Sequence, residues 1–327
     1  MSPEASSFPQ LSIGVRSFAA EDPGTWQPLF DAAQVADEAG VDRLVVSDHV
    51  VFGERLEEYG RPEIGGQAGG KQPTGPDGHW LEPLTTLSVL AGMTSRIRLG
   101  TNILVAALRR PAVLAKSTAT LDVLSGGRVT LGVGVGGRDE DYRALGRDHH
   151  RRFTRLDEQV AAIRGLWSGE PPGEGLDPVG PRPVHTIPIL SGALGPKSIR
   201  RSAVWADGVA GFEMDPTRDA FASARSRVDA AWEAAGRDTE PYRMTSFWFA
   251  LGDDAPGRLR AYARDYLGVF GPELADAIAA SCTAHSADAV RRALDDLSEL
   301  GFDEVQLVPT TGDIAELDRL TALVQAV

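Results

Sequence analysis

Asp48 and His49 stand side by side in VVSDHVVFG, directly after a β-branched run. An imidazole titrates near neutrality, so His49 could pass a proton to or from a substrate while a hydride moves elsewhere. Asp48 could orient that ring or bind the ligand. The plainer alternative has Asp48 capping the following turn and His49 filling a gap. A second polar pair, Thr101 and Asn102 in LGTNILVAALRRP, interrupts an apolar run and reads as a bulge, a ligand contact or strand packing. A third stretch, SGALGPKSIRR (191–201), sets Gly192, Gly195 and Ser198 at a helix start. Free backbone N–H groups there favour an anion such as phosphate, and an ordinary strand-to-helix turn is the alternative.

Other chemistries lack their residues. His149 and His150 are adjacent in a basic stretch without HExxH spacing, so no metal site is expected. There is no G-x-S-x-G for a hydrolase elbow and no GxxxxGK[ST] for a nucleotide loop. Cys282, with His285 nearby, reads as a core cysteine. GVGVGG (132–137) satisfies G-x-G-x-x-G through Gly132, Gly134 and Gly137. A dinucleotide fingerprint belongs to the first βα turn, with an acidic residue closing the next strand. Here three βα units come first, and Asp157 and Glu158 lie within a helical pattern. The stretch is therefore a strand end whose glycines admit a close backbone or ligand.

The elements that must carry these residues alternate along the whole chain. Strands are predicted at 11–16, 43–47, 97–103, 128–135, 187–190, 208–211, 243–250 and 304–309. Apolar residues at three- and four-residue spacing predict helices, among them 25–39, 111–124 and 286–299. Pro111, Ser286, Gly40 and Gly301 supply start and stop signals. Strict βα alternation with eight units predicts one (β/α)8 TIM barrel over residues 1–327. Two Gly- and Pro-rich insertions break the rhythm, at about 53–80 and 169–186. The first, following a strand, is a predicted lid, and both are expected to set pocket specificity.

Composition narrows the function classes. The chain has 327 residues, 42% of them apolar, a net charge of −13 and one cysteine. The acidic balance disfavours nucleic acid and anionic membranes as partners, and no apolar run is long enough for a membrane span. The single cysteine and the absence of a secretion signal in MSPEASSFPQ predict a cytoplasmic protein acting on a small molecule.

Four stretches together carry a family likeness: AGVDRLVVSDHV (39–50), the block from TSRIRLGTN to LGVGVGG (94–137), RRFTRLDEQVAAIRGLW (151–167) and SGALGPKSIRRSAVWADG (191–208). The chain resembles the bacterial luciferase-like flavin-dependent oxidoreductases, and within them the coenzyme F420-dependent branch. The resemblance implies a luciferase-like barrel with a deazaflavin or flavin across the carboxyl ends of its strands. It places cofactor contact and proton donation on the pair Asp48 and His49, both as catalytic residues. It implies a non-proline cis peptide at Asn102–Ile103, with Val135 and Gly136 facing the cofactor. Gly192, Ala193, Leu194, Gly195 and Ser198 match the family's phosphate-binding turn. Gly137 stands where many relatives carry Trp and the sugar-phosphate dehydrogenases carry Glu, which argues against sugar-phosphate oxidation and leaves room for substrate or Arg138. His79 and Trp80 are predicted lid contacts. The implied activity is F420-dependent hydride transfer to or from a small organic substrate. The alternatives are an FMN-dependent monooxygenase using reduced flavin and O2, and a non-catalytic flavin-binding protein. Relatives suggest a homodimer.

Overall fold

The computed structural model describes residues 8–19, 22–51, 79–268 and 271–325. Among these, eight parallel strands close into a barrel in sequence order, β1 next to β8. The strands are β1 (Gln10–Gly14), β2 (Arg43–Val46), β3 (Arg98–Leu104), β4 (Val129–Val133), β5 (Ile189–Ser191), β6 (Gly208–Ala210), β7 (Tyr242–Phe249) and β8 (Glu304–Pro309). Each coincides with one of the eight predicted runs. Short runs rich in Val, Ile and Leu are what a parallel sheet buried on both faces demands, and β2 and β4 are buried at every position.

Helices α1 (Gln27–Ala39), α2 (Pro83–Met93), α3 (Pro111–Ser125), α4 (Asp139–Ala144), α5 (Arg152–Ser168), α6 (Pro196–Ser202), α7 (Arg218–Ala234), α8 (Ala255–Leu267), α9 (Pro272–Ser281), α10 (Ala287–Glu299) and α11 (Ile314–Gln325) surround the strands. The predicted punctuation holds. Pro111 opens α3, Gly40 ends α1 in the left-handed region, and the Ser286 side chain accepts from the Ala289 N–H at the start of α10. The main apolar core joins the strands to the inner faces of these helices. No helix among the described residues is long and apolar enough to cross a membrane.

The two predicted insertions fare differently. Of 53–80, only His79 and Trp80 fall among the described residues. The 169–186 segment is described, and it corrects the expectation that it shapes the pocket. It precedes β5, so it lies at the amino-terminal face of the barrel, opposite the strand ends. There Asp122 of α3 accepts from the Val184 N–H at 2.8 Å and meets the His185 ring at 3.0 Å, while Lys116 donates to the Gly180 carbonyl.

Candidate active site

The carboxyl ends of β2, β3 and β4 are shaped by one irregularity. Pairing of β3 with β4 shifts register between Thr101 and Leu104, and the Asn102–Ile103 peptide is cis. Thr101 donates its hydroxyl to the Gly132 carbonyl at 2.8 Å, holding the strands together just before the bulge. The Ile103 side chain then fills a niche between β4 and β5. A Cβ at Gly192 would stand 2.3 Å from Ile103 Cγ2, and one at Gly134 2.7 Å from Cδ1. Gly134 and Gly192 are therefore required by a neighbouring isoleucine, while a Cβ at Gly132 would stand 2.2 Å from the Thr101 carbonyl oxygen, so the fingerprint-like glycines have local packing causes.

The Asp48–His49 pair is split. Asp48 is buried and accepts from the Val105 N–H at 2.8 Å and from both terminal nitrogens of Arg109. Arg109 also donates to Glu82, the N-cap residue of α2, at 3.0 Å. Burial alone would lower the Arg109 guanidinium, but Asp48 and Glu82 outweigh it and hold it above its ordinary value. Asp48 thus ties β2 to the end of β3, and it does not orient His49. That task falls to Asp141 of α4, whose Oδ2 lies 3.4 Å from His49 Nδ1 and whose Oδ1 accepts from the Val50 and Val51 N–H groups. The next residue, Tyr142, donates to the Val135 carbonyl at 2.6 Å, so α4 fixes the ends of β2 and β4 at once.

A cavity of about 330 Å³ opens at the carboxyl mouth of the barrel. Asn102 and Leu194 line one side; Phe18, Trp80, Trp248 and Tyr262 are among those lining the others. Trp80 stacks on Phe18 at 4.3 Å, donates its indole N–H to the Ser47 carbonyl at 3.3 Å, and meets the His49 ring edge-on at 4.7 Å. His49 therefore stands directly behind the cavity wall. With Nδ1 turned to Asp141, proton exchange at this ring would run through Nε2. Trp80 both anchors its segment and faces the cavity. His79 does only the former: its carbonyl accepts from the Ala19 N–H at 2.9 Å.

A second cavity, about 220 Å³, shares Leu194 with the first as a lining residue. Val135, Gly192, Ala193, Leu194, Gly195 and Ser198, all predicted, line it together. Arg201, which sequence reasoning passed over, lines it too and pairs with Asp157 of α5 at 2.6 Å. It lies one helical turn beyond Lys197 and Ser198 in PKSIRR, and that spacing was the available signal. Ser198 donates its hydroxyl to the Gly195 carbonyl at 2.8 Å and would have to turn it to serve an anion.

Three further predicted residues are placed as follows. Arg138 is fully buried and paired with Glu140 at 2.5 Å. Gly136 packs against Val105, and Ile103, joined to Asn102 by the cis peptide that the resemblance implies, sets its side chain against Gly134 and Gly192. Cys282 is buried as expected, and burial pushes its thiol up to about 11. No cluster of His, Cys, Asp or Glu among the described residues could hold a metal ion.

Two cavities sharing the Leu194 wall suit a ligand with a flat ring at one end and an anionic group at the other. Leu194, 55% exposed at their border, offers apolar surface that such a ring would cover. The described wall of the mouth cavity contains no carboxylate, and the acidic group in the second is neutralised by Arg201.

Comparison with known proteins gives the same picture. A family model described as luciferase-like monooxygenase matches residues 11–317. The F420-dependent glucose-6-phosphate dehydrogenase of Nakamurella multipartita is 32% identical over 212 residues, covering 61% of this chain and 56% of that one. Among solved structures, an F420-dependent secondary alcohol dehydrogenase bound to an F420–acetone adduct superposes with a TM-score of 0.74 at 18% identity, covering 98% of this chain and 99% of the other. The oxygenating constituent of 3,6-diketocamphane monooxygenase from Pseudomonas putida, in complex with FMN, superposes with a TM-score of 0.67 at 15% identity, covering 97% of each. At these identities the two structures speak to fold alone.

Proposed function

The chain belongs to the luciferase-like monooxygenase family, and from that premise we propose an F420-dependent oxidoreductase acting on a small organic molecule. The observation that carries the reading is a pair of cavities that share Leu194 as a lining residue, one also lined by Asn102 of the β3 bulge and the other by the Gly192–Ser198 turn. When bound, the deazaflavin supplies the hydride-exchanging ring. The chain's own residues do the rest. Gly192, Ala193, Gly195, Ser198 and Arg201 would hold the anionic end, while Asn102, Leu194 and Val135 would support the ring. Asp141 fixes the His49 tautomer, and His49 gives or takes the proton that accompanies the hydride. Asp48 and Arg109 act at one remove by holding the β2 and β3 ends in place.

FMN with molecular oxygen is the second reading, favoured by the match to a family model described as luciferase-like monooxygenase. A relative of higher identity that is named F420-dependent weighs toward the deazaflavin. Retention of His49 with a dedicated carboxylate partner weighs against a non-catalytic binding protein. Titrating the protein with each cofactor and following its absorbance separates the first two readings. Saturable F420 binding without FMN binding is expected; the reverse overturns the F420 assignment. We further propose a cytoplasmic homodimer. Val89 of α2 with Val113, Val123 and Leu124 of α3 are exposed, as an outer-helix interface would require. Light scattering should give twice the chain mass, and a monomer at micromolar concentration would contradict it.

A further inference from the structure

Arg16 follows β1 and lines the mouth cavity. It is the sole charged side chain in the described part of that wall, in a chain with 46 acidic residues against 33 Lys and Arg. Among the described residues no carboxylate lies within ion-pairing distance of it. Its guanidinium rests over the Phe18 ring, 5.2 Å from the centroid. The contrast with the other arginines of the mouth is sharp: Arg109 is bound by two carboxylates and Arg138 by one.

Opposite Arg16, the helices inserted after β7 supply Tyr262 and Tyr266, one turn apart on α8 with nearly parallel rings, both edge-on to Trp248. Neither hydroxyl has a hydrogen-bond partner among the described residues. Burial pushes both phenols above their ordinary value, and the nearness of Arg16 only partly offsets this for Tyr262. Both are therefore protonated donors at neutral pH. Two other polar side chains of the wall are occupied: Asn102 donates to Gln306 at 2.6 Å and Ser246 to the Gly211 carbonyl at 2.6 Å. A half-buried cation and two hydroxyl donors thus line an aromatic chamber with no hydrogen-bond or ion-pair partner among the described residues. A planar carboxylate satisfies a guanidinium fork through paired hydrogen bonds, and flat apolar walls select a flat body.

We propose that Arg16 is the anchor for a carboxylate on the substrate, and that the mouth cavity selects planar, apolar carboxylic acids. This rests on the proposed function: with the cofactor ring against Asn102 and Leu194, the remainder of the mouth cavity, toward Arg16, Phe18 and Tyr262, is left to the substrate. The test uses the full chain without cofactor, titrated calorimetrically with trans-cinnamate and with its neutral isostere trans-cinnamamide. The acid should bind at least about tenfold tighter than the amide, the scale of a lost charge-assisted contact. Arg16→Gln should erase that preference while leaving amide binding and F420 binding within about twofold of the parent. Equal binding of acid and amide, or binding of neither, overturns the proposal without reference to any variant. So does an acid preference that survives Arg16→Gln, or a loss of F420 binding in that variant, which would assign Arg16 to the cofactor. Failure of the unsubstituted chain to bind F420 strikes the cofactor reading instead, and leaves the acid–amide comparison standing on its own.

Discussion

At the amino-terminal end of the barrel, Glu304 pairs with Arg43 at 3.0 Å and accepts from the hydroxyls of Tyr242 and Ser12. All of this is inside the chain, and Glu304 and Arg43 are buried. At the carboxyl end, Arg16 lacks a described carboxylate partner, two phenols line an open cavity, and Leu194 is left exposed. One end uses this polar cluster to close the barrel. The other ties its strand ends through Asp48, Arg109 and Asp141 but leaves Arg16 and two phenols facing the cavity. That division matches the general rule that (β/α)8 barrels are stabilised from the bottom and act at the top, and here it can be traced to single side chains.

The comparison can be broken most forcefully at Glu304. Glu304→Ala strands the Arg43 guanidinium in the interior, and breaking a buried pair in this way costs about 3–5 kcal/mol. Chemical denaturation should show that loss, while cofactor affinity per folded molecule stays near the parent's. A comparable loss of affinity would mean the two ends are not independent. His49→Ala should do the opposite: turnover falling about 10²–10⁴-fold, with cofactor affinity and denaturation midpoint little changed. Steady-state kinetics beside a melting curve reads both, and unchanged turnover would remove His49 from the chemistry.

A smaller effect belongs to Asp37 at the amino-terminal face. Burial alone would raise its carboxyl, but the N–H groups of Ser95, Ile97 and Arg96 outweigh it and hold it below the ordinary value. Its stabilising contribution is therefore complete at neutral pH and fades as pH falls through the depressed folded value. Asp37→Ala, which leaves those donors buried and unmet, should cost about 1–3 kcal/mol at pH 7. The cost should shrink toward pH 3 when denaturation is followed across that range, and a constant cost would rule out this origin. Smallest of all, Arg16→Gln should shift stability by less than about 0.5 kcal/mol, because no carboxylate among the described residues pairs with it and its contact with the Phe18 ring is half-exposed.

The barrel was legible because its signals are local. β-branched runs of four to eight residues, closed by Gly and Pro, mark every strand from Gln10 to Pro309. The candidate phosphate turn was legible for the same reason: Gly192 to Ser198 are contiguous, and they line one cavity together. What escaped depends on distant segments meeting. His49 finds its carboxylate 92 residues away in Asp141, whereas the adjacent Asp48 turns to Arg109. Adjacent side chains on an extended segment point to opposite sides, so neighbours in sequence are poor guides to partners. Arg138, exposed on paper beside the flexible Gly136–Gly137, is drawn inward by Glu140. The aromatic wall of Trp248, Tyr262 and Tyr266 comes from β7 and the helix inserted after it, and nothing in their spacing announces the cavity they face.

The account turns on the mouth of the barrel being a deazaflavin site. Titration of the full chain with oxidised F420, followed by absorbance, with FMN in a parallel cell, tests it most directly. Saturable, one-to-one binding of F420 and none of FMN is the predicted result. No F420 binding at concentrations that saturate an F420-dependent relative would contradict it.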